Sequence, residues 1–202
     1  MDKTKIAVFV SGGGTNLQAL INAQKSGIIH SGEIVLVMAD RPGAYALERA
    51  KAAGIRAEEI LRSEFPGRKA FEARVIELLE ECGAELIVLA GFLCILSADF
   101  TRRYENRIIN VHPSLIPSFC GDGFYGLTVH EKALEYGVKV SGATVHFVNE
   151  ITDGGKIIMQ KAVDVLEGDT PESLQLRIME QAEWVILPQA TELVCRQIAE
   201  GK

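Results

Sequence analysis

Four short apolar runs, separated by longer segments with helical patterning, constrain the fold of this chain most strongly. Each run has the length of a strand and does not alternate between polar and apolar residues, which is typical of strands buried on both faces of a parallel sheet. The runs are KIAVFV at 5–10, EIVLVMA at 33–39, ELIVLAG at 85–91 and RIINVH at 107–112. Helices are predicted between and after them, at 15–26, 44–53, 68–82 and 97–104, the last with Ser97 as its N-cap. The first half is therefore predicted to be a series of βα units.

The pattern changes after residue 112, where a loop rich in Gly, Pro and Ser precedes a predicted helix near 128–136. Two further strands, at 139–148 and 154–165, are close enough in sequence to pair antiparallel at the far edge of the sheet. A final helix is predicted to begin near Asp169, which has capping-box spacing to Glu172, and to continue toward the C-terminus. The predicted fold class is α/β: a single-domain, Rossmann-like, mostly parallel twisted sheet flanked by helices, with an antiparallel strand pair near its C-terminal edge.

Length and charge limit the classes of function. With 202 residues, of which 48% are hydrophobic, the chain can build one sizeable core, and we expect one domain over 1–202. A formal net charge of -6 gives no general basic surface, so neither nucleic acid nor an anionic membrane is a favoured partner.

Targeting signals and metal motifs are not apparent in the sequence. The N-terminus has no signal-peptide core and no apolar span reaches 18 residues, so we expect a cytoplasmic protein without membrane contact. The four cysteines are scattered and do not have metal-ligand spacing with the histidines. We therefore expect reduced thiols and no metal site.

A glycine-rich turn follows the first predicted strand in VFVSGGGTNLQAL. The backbone N–H groups of Gly12 to Gly14 and the helix start near Thr15 together suit a phosphate group. Leu17 does not fit a dinucleotide fingerprint, and the Lys of a P-loop is absent. Asp40 and Arg41 after the second strand keep a dinucleotide-binding module open as an alternative, and a glycine turn without a ligand is the simplest alternative.

The segment IINVHPSLIPSF places Asn110 and His112 at the end of a strand, because Pro113 disfavours its continuation. Ligands bind at the carboxyl ends of parallel strands, so this strand end and the glycine loop are expected to face one crevice. Asn110 offers an N–H donor, His112 an acid or a cationic donor, and Asp153 a carboxylate that could orient the imidazole. His146 is expected to neighbour this group. Taken singly, each residue could equally be structural.

Six motifs occur together in the order and spacing of the glycinamide ribonucleotide formyltransferases, which the chain resembles over essentially its whole length. The motifs are SGGGTNLQAL, LAGFLCIL, INVHPSLIPSF, GATVHFV, TDGGKII and GDTPESL. The resemblance implies formyl transfer from 10-formyltetrahydrofolate, as co-substrate, to glycinamide ribonucleotide in purine synthesis, without a metal. It also implies that 1–100 carries the phosphate-binding units and that 101–202 carries the catalytic and folate-binding part.

The resemblance assigns roles to individual positions. The catalytic residues would be Asn110, His112 and Asp153; the substrate-binding residues Gly14, Thr15, Asn16 and Glu183; and the folate-binding residues Arg68, Leu93, Cys94, Ile95, Leu96 and Asn110. Asp153 would raise the pKa of His112, so that a protonated imidazole receives the oxyanion. Glu183 would lie near the end of the final helix and contact the ribose.

Two departures and two rival functions remain open at this stage. Family members often carry Arg where Cys94 stands, and that Arg is associated with the folate tail. The loop over 119–128 is longer than the common form. A formyltetrahydrofolate deformylase-like hydrolase and a non-catalytic nucleotide-binding module are the alternatives. Methionyl-tRNA formyltransferase is disfavoured because no added C-terminal domain is seen. A homodimer and a monomer are both compatible with the sequence.

Overall fold

Seven strands form one sheet in the computed structural model, which describes residues 2–201. They are β1 Thr4–Val10, β2 Gly32–Ala39, β3 Arg56–Glu59, β4 Leu86–Leu89, β5 Ile108–His112, β6 Val140–Phe147 and β7 Ile157–Asp164. Their order across the sheet is β3-β2-β1-β4-β5-β6-β7. The first five strands are parallel, whereas β6 is antiparallel to both β5 and β7. The predicted α/β class and the antiparallel pair at the far edge are confirmed.

Seven α-helices connect or follow the strands of the described part of the chain. They are α1 Thr15–Ser26, α2 Tyr45–Ala52, α3 Arg68–Cys82, α4 Ala98–Arg103, α5 Leu127–Tyr136, α6 Pro171–Ile178 and α7 Trp184–Ala199. A short 3₁₀ turn, Arg62–Glu64, follows β3. Ser97 caps α4 as predicted, since its hydroxyl accepts a hydrogen bond from the N–H of Phe100 at 3.1 Å. None of these helices is long and apolar enough to cross a membrane, as judged over residues 2–201.

The core lies on both faces of the sheet, as the continuous apolar runs predict. Along β1, Ile6, Val8 and Val10 belong to one buried cluster, while Ala7 and Phe9 belong to the other. The first cluster includes side chains of α1, α2, α6 and α7, and the second includes side chains of α3 and α4. Full burial of each large apolar side chain contributes about 1.5–3 kcal/mol, so the central strands hold the sheet edge in place.

Three details differ from the sequence-based expectations. The edge strand β3, Arg56–Glu59, was not predicted, because its sequence RAEE is polar and it pairs only with β2. The capping box of α6 joins Thr170 and Ser173, rather than Asp169 and Glu172. Asp169 instead accepts two hydrogen bonds from the guanidinium of Arg177, at 2.5 and 2.6 Å.

The predicted final helix is interrupted by a π-helical turn, Met179–Glu183, between α6 and α7. Glu183 therefore lies midway along this helical segment, at the junction with α7, and not near its end. A π turn inserts an extra residue into the helical repeat and is frequent at functional sites. Here it places the Glu183 carboxylate in the interior. The predicted single domain over 1–202 extends at each end beyond the described residues and stays a prediction.

Candidate active site

The glycine loop after β1 leaves its backbone donors free. Gly14 has φ 72°, and a Cβ there would lie 2.6 Å from the Cβ of Ala46, so only glycine fits. Within residues 2–201, no hydrogen bond is made by the N–H groups of Gly13, Gly14 or Thr15. Free N–H groups at the start of a twelve-residue helix such as α1 form a site for an anion.

Helix α2 fixes the shape of this loop from behind. The N–H of Ala46 donates to the carbonyl of Gly12 at 3.1 Å, and Arg49 Nε donates to the carbonyl of Gly13 at 2.8 Å. These two hydrogen bonds hold the carbonyls on the α2 side of the loop. Arg49 also brings a positive charge beside the N–H groups. Arg49 could not be predicted from the sequence, since only the packing of α2 on the loop brings it near.

Asn16 and Glu183 join the two ends of the chain at this site. Asn16 Nδ2 donates to Glu183 Oε2 at 2.7 Å, and both residues are buried. Burial raises the pKa of Glu183, and the hydrogen bond from Asn16 only partly opposes that shift. The remaining oxygen of Asn16, Oδ1, is buried and has no partner within residues 2–201. The structure thus brings together two residues predicted to bind the same substrate, 167 positions apart.

Strands β5 and β6 place the amide and the imidazoles at one point of the sheet edge. Asn110 lies opposite His146, and His112 lies opposite Thr144. Asn110 Nδ2 is 3.3 Å from His146 Nε2, so His146 is the neighbour that the sequence predicts. His146 Nδ1 lies 2.8 Å from the carbonyl of Phe147, which can only accept, so Nδ1 carries a proton.

Thr144 fixes the loop that follows His112. Its hydroxyl donates to the carbonyl of Ser114 at 2.7 Å and accepts from the N–H of Ile116 at 3.1 Å. The loop therefore leaves the strand in a fixed direction directly after the imidazole. Thr144 is another residue that the sequence analysis missed, and its position opposite His112 depends on the pairing register of β5 and β6.

Asp153 lies between the two imidazoles. Its Oδ2 is 3.5 Å from His112 Nδ1, and its Oδ1 is 3.6 Å from His146 Nε2. The N–H of Gly121 donates to Oδ2 at 2.9 Å. Asp153 has φ 54°, and a Cβ at Gly155 would lie 1.7 Å from the carbonyl oxygen of Phe147. The glycine after this turn is therefore required for the close approach that brings the carboxylate inward.

Burial opposes the main effect of the neighbouring groups on the pKa of Asp153 and on that of His112. It would raise the pKa of Asp153, but contacts with His146, His112 and the N–H of Gly121 outweigh it and lower that pKa. For His112 burial is the largest effect and lowers the pKa, although the Asp153 charge acts in the opposite direction. The expectation of a raised His112 pKa is therefore wrong in its net direction, because His112 is 4% exposed.

His112 presents its other nitrogen to the loop at 119–128. Nε2 lies 2.9 Å from the carbonyl of Phe119, a residue with φ 49°, so Nε2 carries the proton and donates it. A neutral imidazole in this tautomer is already a hydrogen-bond donor on the side away from Asp153. The longer loop that the sequence singled out is therefore the element that covers this donor.

The predicted folate-side residues lie on two neighbouring segments. Leu93, Cys94, Ile95 and Leu96 follow β4, and Arg68 begins α3. Leu93 and Ile95 are exposed, at 47% and 58%, whereas Leu96 is buried. The N–H of Leu93 donates to Ser11 Oγ at 2.9 Å. This contact ties the segment to the end of β1, beside the glycine loop.

The carboxylate of Asp40, a possible ribose ligand in the dinucleotide alternative, is already hydrogen-bonded within the chain. Its Oδ1 accepts a hydrogen bond from Ser11 Oγ at 2.6 Å, the same hydroxyl that accepts from Leu93. Asp40 thus orders the junction between the glycine loop and the segment after β4. Arg41, its predicted partner in the dinucleotide alternative, is exposed.

Fold and site together define a class: α/β proteins with an anion-binding glycine loop and a partly buried Asn-His-Asp group at the carboxyl edge of one sheet. The formyl transferase family model matches residues 4–191, and the chain belongs to that family. Membership implies a folate-type co-substrate.

Individual relatives agree in sequence and in structure. Phosphoribosylglycinamide formyltransferase of Haemophilus influenzae is 40% identical over 98% of this chain and 88% of its own length. The trifunctional purine biosynthetic protein adenosine-3 of Gallus gallus is 46% identical over 96% of this chain, which spans only 18% of that protein. Glycinamide ribonucleotide transformylase 1 of Symbiobacterium toebii superposes with a TM-score of 0.89 at 43% identity, over 96% of this chain and 88% of that one. These likenesses favour the formyltransferase reading over the hydrolase and the nucleotide-binding module.

Proposed function

We propose that this chain transfers the formyl group of 10-formyltetrahydrofolate to the amine of 5-phosphoribosylglycinamide, a step of de novo purine synthesis. The observation that carries the proposal is the grouping of Asn110, buried His112 and Asp153 on the sheet edge that also carries the unpaired N–H groups of Gly13 to Thr15. The names of the relatives supply the amine substrate, phosphoribosylglycinamide. Membership of the formyl transferase family supports a folate-type formyl donor.

Phosphate and ribose would be held at the glycine loop. The N–H groups of Gly14 and Thr15 would donate to the phosphate oxygens, and the Arg49 guanidinium, fixed by the Gly13 carbonyl, would add charge. Glu183, held by Asn16, would accept from a ribose hydroxyl. The glycyl amine would then extend toward the end of β5.

The folate would lie along the segment after β4. Exposed Leu93 and Ile95 offer apolar surface, Cys94 and Leu96 complete the segment, and Arg68 offers a cation at the start of α3. In this arrangement the formyl carbon lies between Asn110 and the amine. Asn110 would then belong both to the catalytic group and to the folate-binding set.

In the chemical step the amine nitrogen attacks the formyl carbon, and negative charge develops on the formyl oxygen. Asn110 Nδ2 and the Nε2–H of neutral His112 can donate to that oxygen. The developing charge makes a proton on His112 Nδ1, shared with Asp153, more stable. The tetrahedral species collapses as the bond from carbon to N10 breaks, and the amine proton passes to N10 through His112 or water.

For His112 to donate to the formyl oxygen, Nε2 must exchange its hydrogen bond with the Phe119 carbonyl for one with the substrate. The scheme routes no step through a metal or a covalent enzyme intermediate. A cytoplasmic location and a homodimer stay predictions.

The direct test follows folate absorbance after the chain is mixed with 10-formyltetrahydrofolate, with and without glycinamide ribonucleotide. Turnover is expected only when the amine is present, with one formyl group appearing on the amine for each folate consumed. Turnover without the amine would instead establish a hydrolase. No turnover in either mixture, with a correctly folded chain, would refute the proposal.

A further inference from the structure

Arg62 is an arginine without a carboxylate partner on the predicted folate side. It begins the 3₁₀ turn Arg62–Glu64 after β3 and is exposed. Four other arginines within residues 2–201, Arg56, Arg74, Arg102 and Arg103, pair with carboxylates. Over the same residues Arg62 makes no salt bridge, and its hydrogen-bond contact is Nη1 to Cys94 Sγ at 3.9 Å. Its charge is therefore left for a partner from outside the chain.

Cys94 does not neutralise that charge. It is partly buried, and burial raises the pKa of its thiol above the ordinary value, although Arg62 acts in the opposite direction. The thiol is therefore neutral at pH 7. The contact places the guanidinium of Arg62 beside the folate-side segment, and the neutral thiol does not form an ion pair with it.

Arg68 stands close by on the other side of the turn. Its charge also acts on the Cys94 thiol, so both cations lie within electrostatic range of the same short segment. Arg68 forms no salt bridge within residues 2–201 either. The two residues flank the segment 63–67, and exposed Leu93 and Ile95 border Cys94. Two unpaired guanidinium groups next to exposed apolar side chains suit a ligand with an aromatic body and a carboxylate end.

We propose that Arg62, held beside Cys94, binds a carboxylate of the glutamate tail of the folate together with Arg68, and so determines specificity for glutamylated folates. The inference rests on the proposed function, which places the folate along Leu93 to Leu96. A carboxylate can accept two parallel hydrogen bonds from one guanidinium, which Lys cannot supply. The neutral thiol of Cys94 helps to position Arg62 and adds no charge of its own.

The test compares two formyl donors, 10-formyltetrahydrofolate and 10-formyltetrahydropteroate, which lacks the glutamate. Arg62→Ala is expected to raise KM for the glutamylated donor about five- to tenfold with kcat nearly unchanged, as for an exposed charge-assisted pair. KM for the pteroate donor should stay at the wild-type value. Arg196→Ala, which removes an exposed guanidinium from α7, is the matched control and should change neither KM.

The outcomes separate this inference from the proposed function. If the wild type does not use 10-formyltetrahydrofolate at all, the proposed function fails first. If the wild type is active but Arg62→Ala leaves KM for the glutamylated donor unchanged, Arg62 does not bind the tail. An equal rise in KM for both donors would show that Arg62 only shapes the segment, which also overturns the inference.

Discussion

Burial determines the charge of the single side chains on which the site depends. Glu183 and His112 are both almost inaccessible, and for each of them burial shifts the pKa toward the neutral form. Asp153 is the exception: burial alone would raise its pKa, but the net shift is downward, and the N–H of Gly121 donates to its carboxylate. Asp153 is therefore the group of the site that is stabilised in its charged form, whereas burial favours the neutral forms of Glu183 and His112.

Glu183→Gln is expected to stabilise the protein while weakening substrate binding. A raised pKa means that folding favours the protonated carboxyl, so the ionised side chain destabilises the native state at pH 7. Gln can still accept from Asn16, and we expect a gain of about 1 kcal/mol, or roughly 2–4 °C in Tm. Thermal unfolding at pH 7 measures this. A lower Tm would show that the carboxylate is stabilising, contrary to the burial argument.

Most of the site could be predicted from the residue types and their order along the chain. The contacts made across the fold could not. The structure confirms that Asn110, His112 and Asp153 lie together, as their places in the strand pattern imply. Arg49 and Arg62 were missed because each reaches its neighbour only through packing. The direction of the His112 pKa shift was wrong because the depth of burial cannot be read from sequence.

At the scale of elements, the ends of β1, β4 and β5 place three short segments side by side. These strands could be predicted because each contains an apolar run. The edge strand β3 was not predicted because its sequence is polar. The π turn that ends at Glu183 was not predicted either, since no sequence rule distinguishes it from a regular helix. Of these two elements, the π turn carries a predicted site residue, Glu183.

Gly14→Ala is expected to distort the junction between β1 and α1. The new Cβ would meet Ala46 at 2.6 Å, and φ 72° is unfavourable for Ala, so we expect a loss of about 1–3 kcal/mol. Gly13→Ala is the control, because no atom lies within 4 Å of a Cβ there. Urea unfolding of both variants measures the difference. Equal stability of the two would contradict the packing of α2 on the loop.

At the scale of the whole molecule, stability should depend on pH through a buried histidine outside the catalytic group. His130, in α5, is 0% exposed and neither ring nitrogen has a partner within residues 2–201. Burial lowers its pKa to about 4, with a smaller effect from His112. Since the unfolded chain binds a proton near pH 6.5, stability is complete above that pH and falls as the pH decreases toward 4.

The His130 contribution should be about 2 kcal/mol of unfolding free energy lost between pH 7 and pH 5. His130→Gln, which does not titrate, should lose correspondingly less over the same interval, while the share due to His112 remains. Urea unfolding at both pH values measures the two losses. Identical losses in wild type and variant would mean that His130 is already protonated, or solvated, in the folded chain.

The central claim is that the Asn110, His112 and Asp153 group carries formyl transfer, and single-turnover kinetics of Asp153→Asn test it most directly. Asn can still accept from the N–H of Gly121, so the fold is retained while the charge beside His112 is lost. Asp122→Asn, an exposed neighbour bonded to Thr152, is the matched control. We predict a rate of formyl transfer about 10²–10⁴-fold lower for Asp153→Asn and unchanged for the control. A rate for Asp153→Asn equal to that of the wild type would contradict the account.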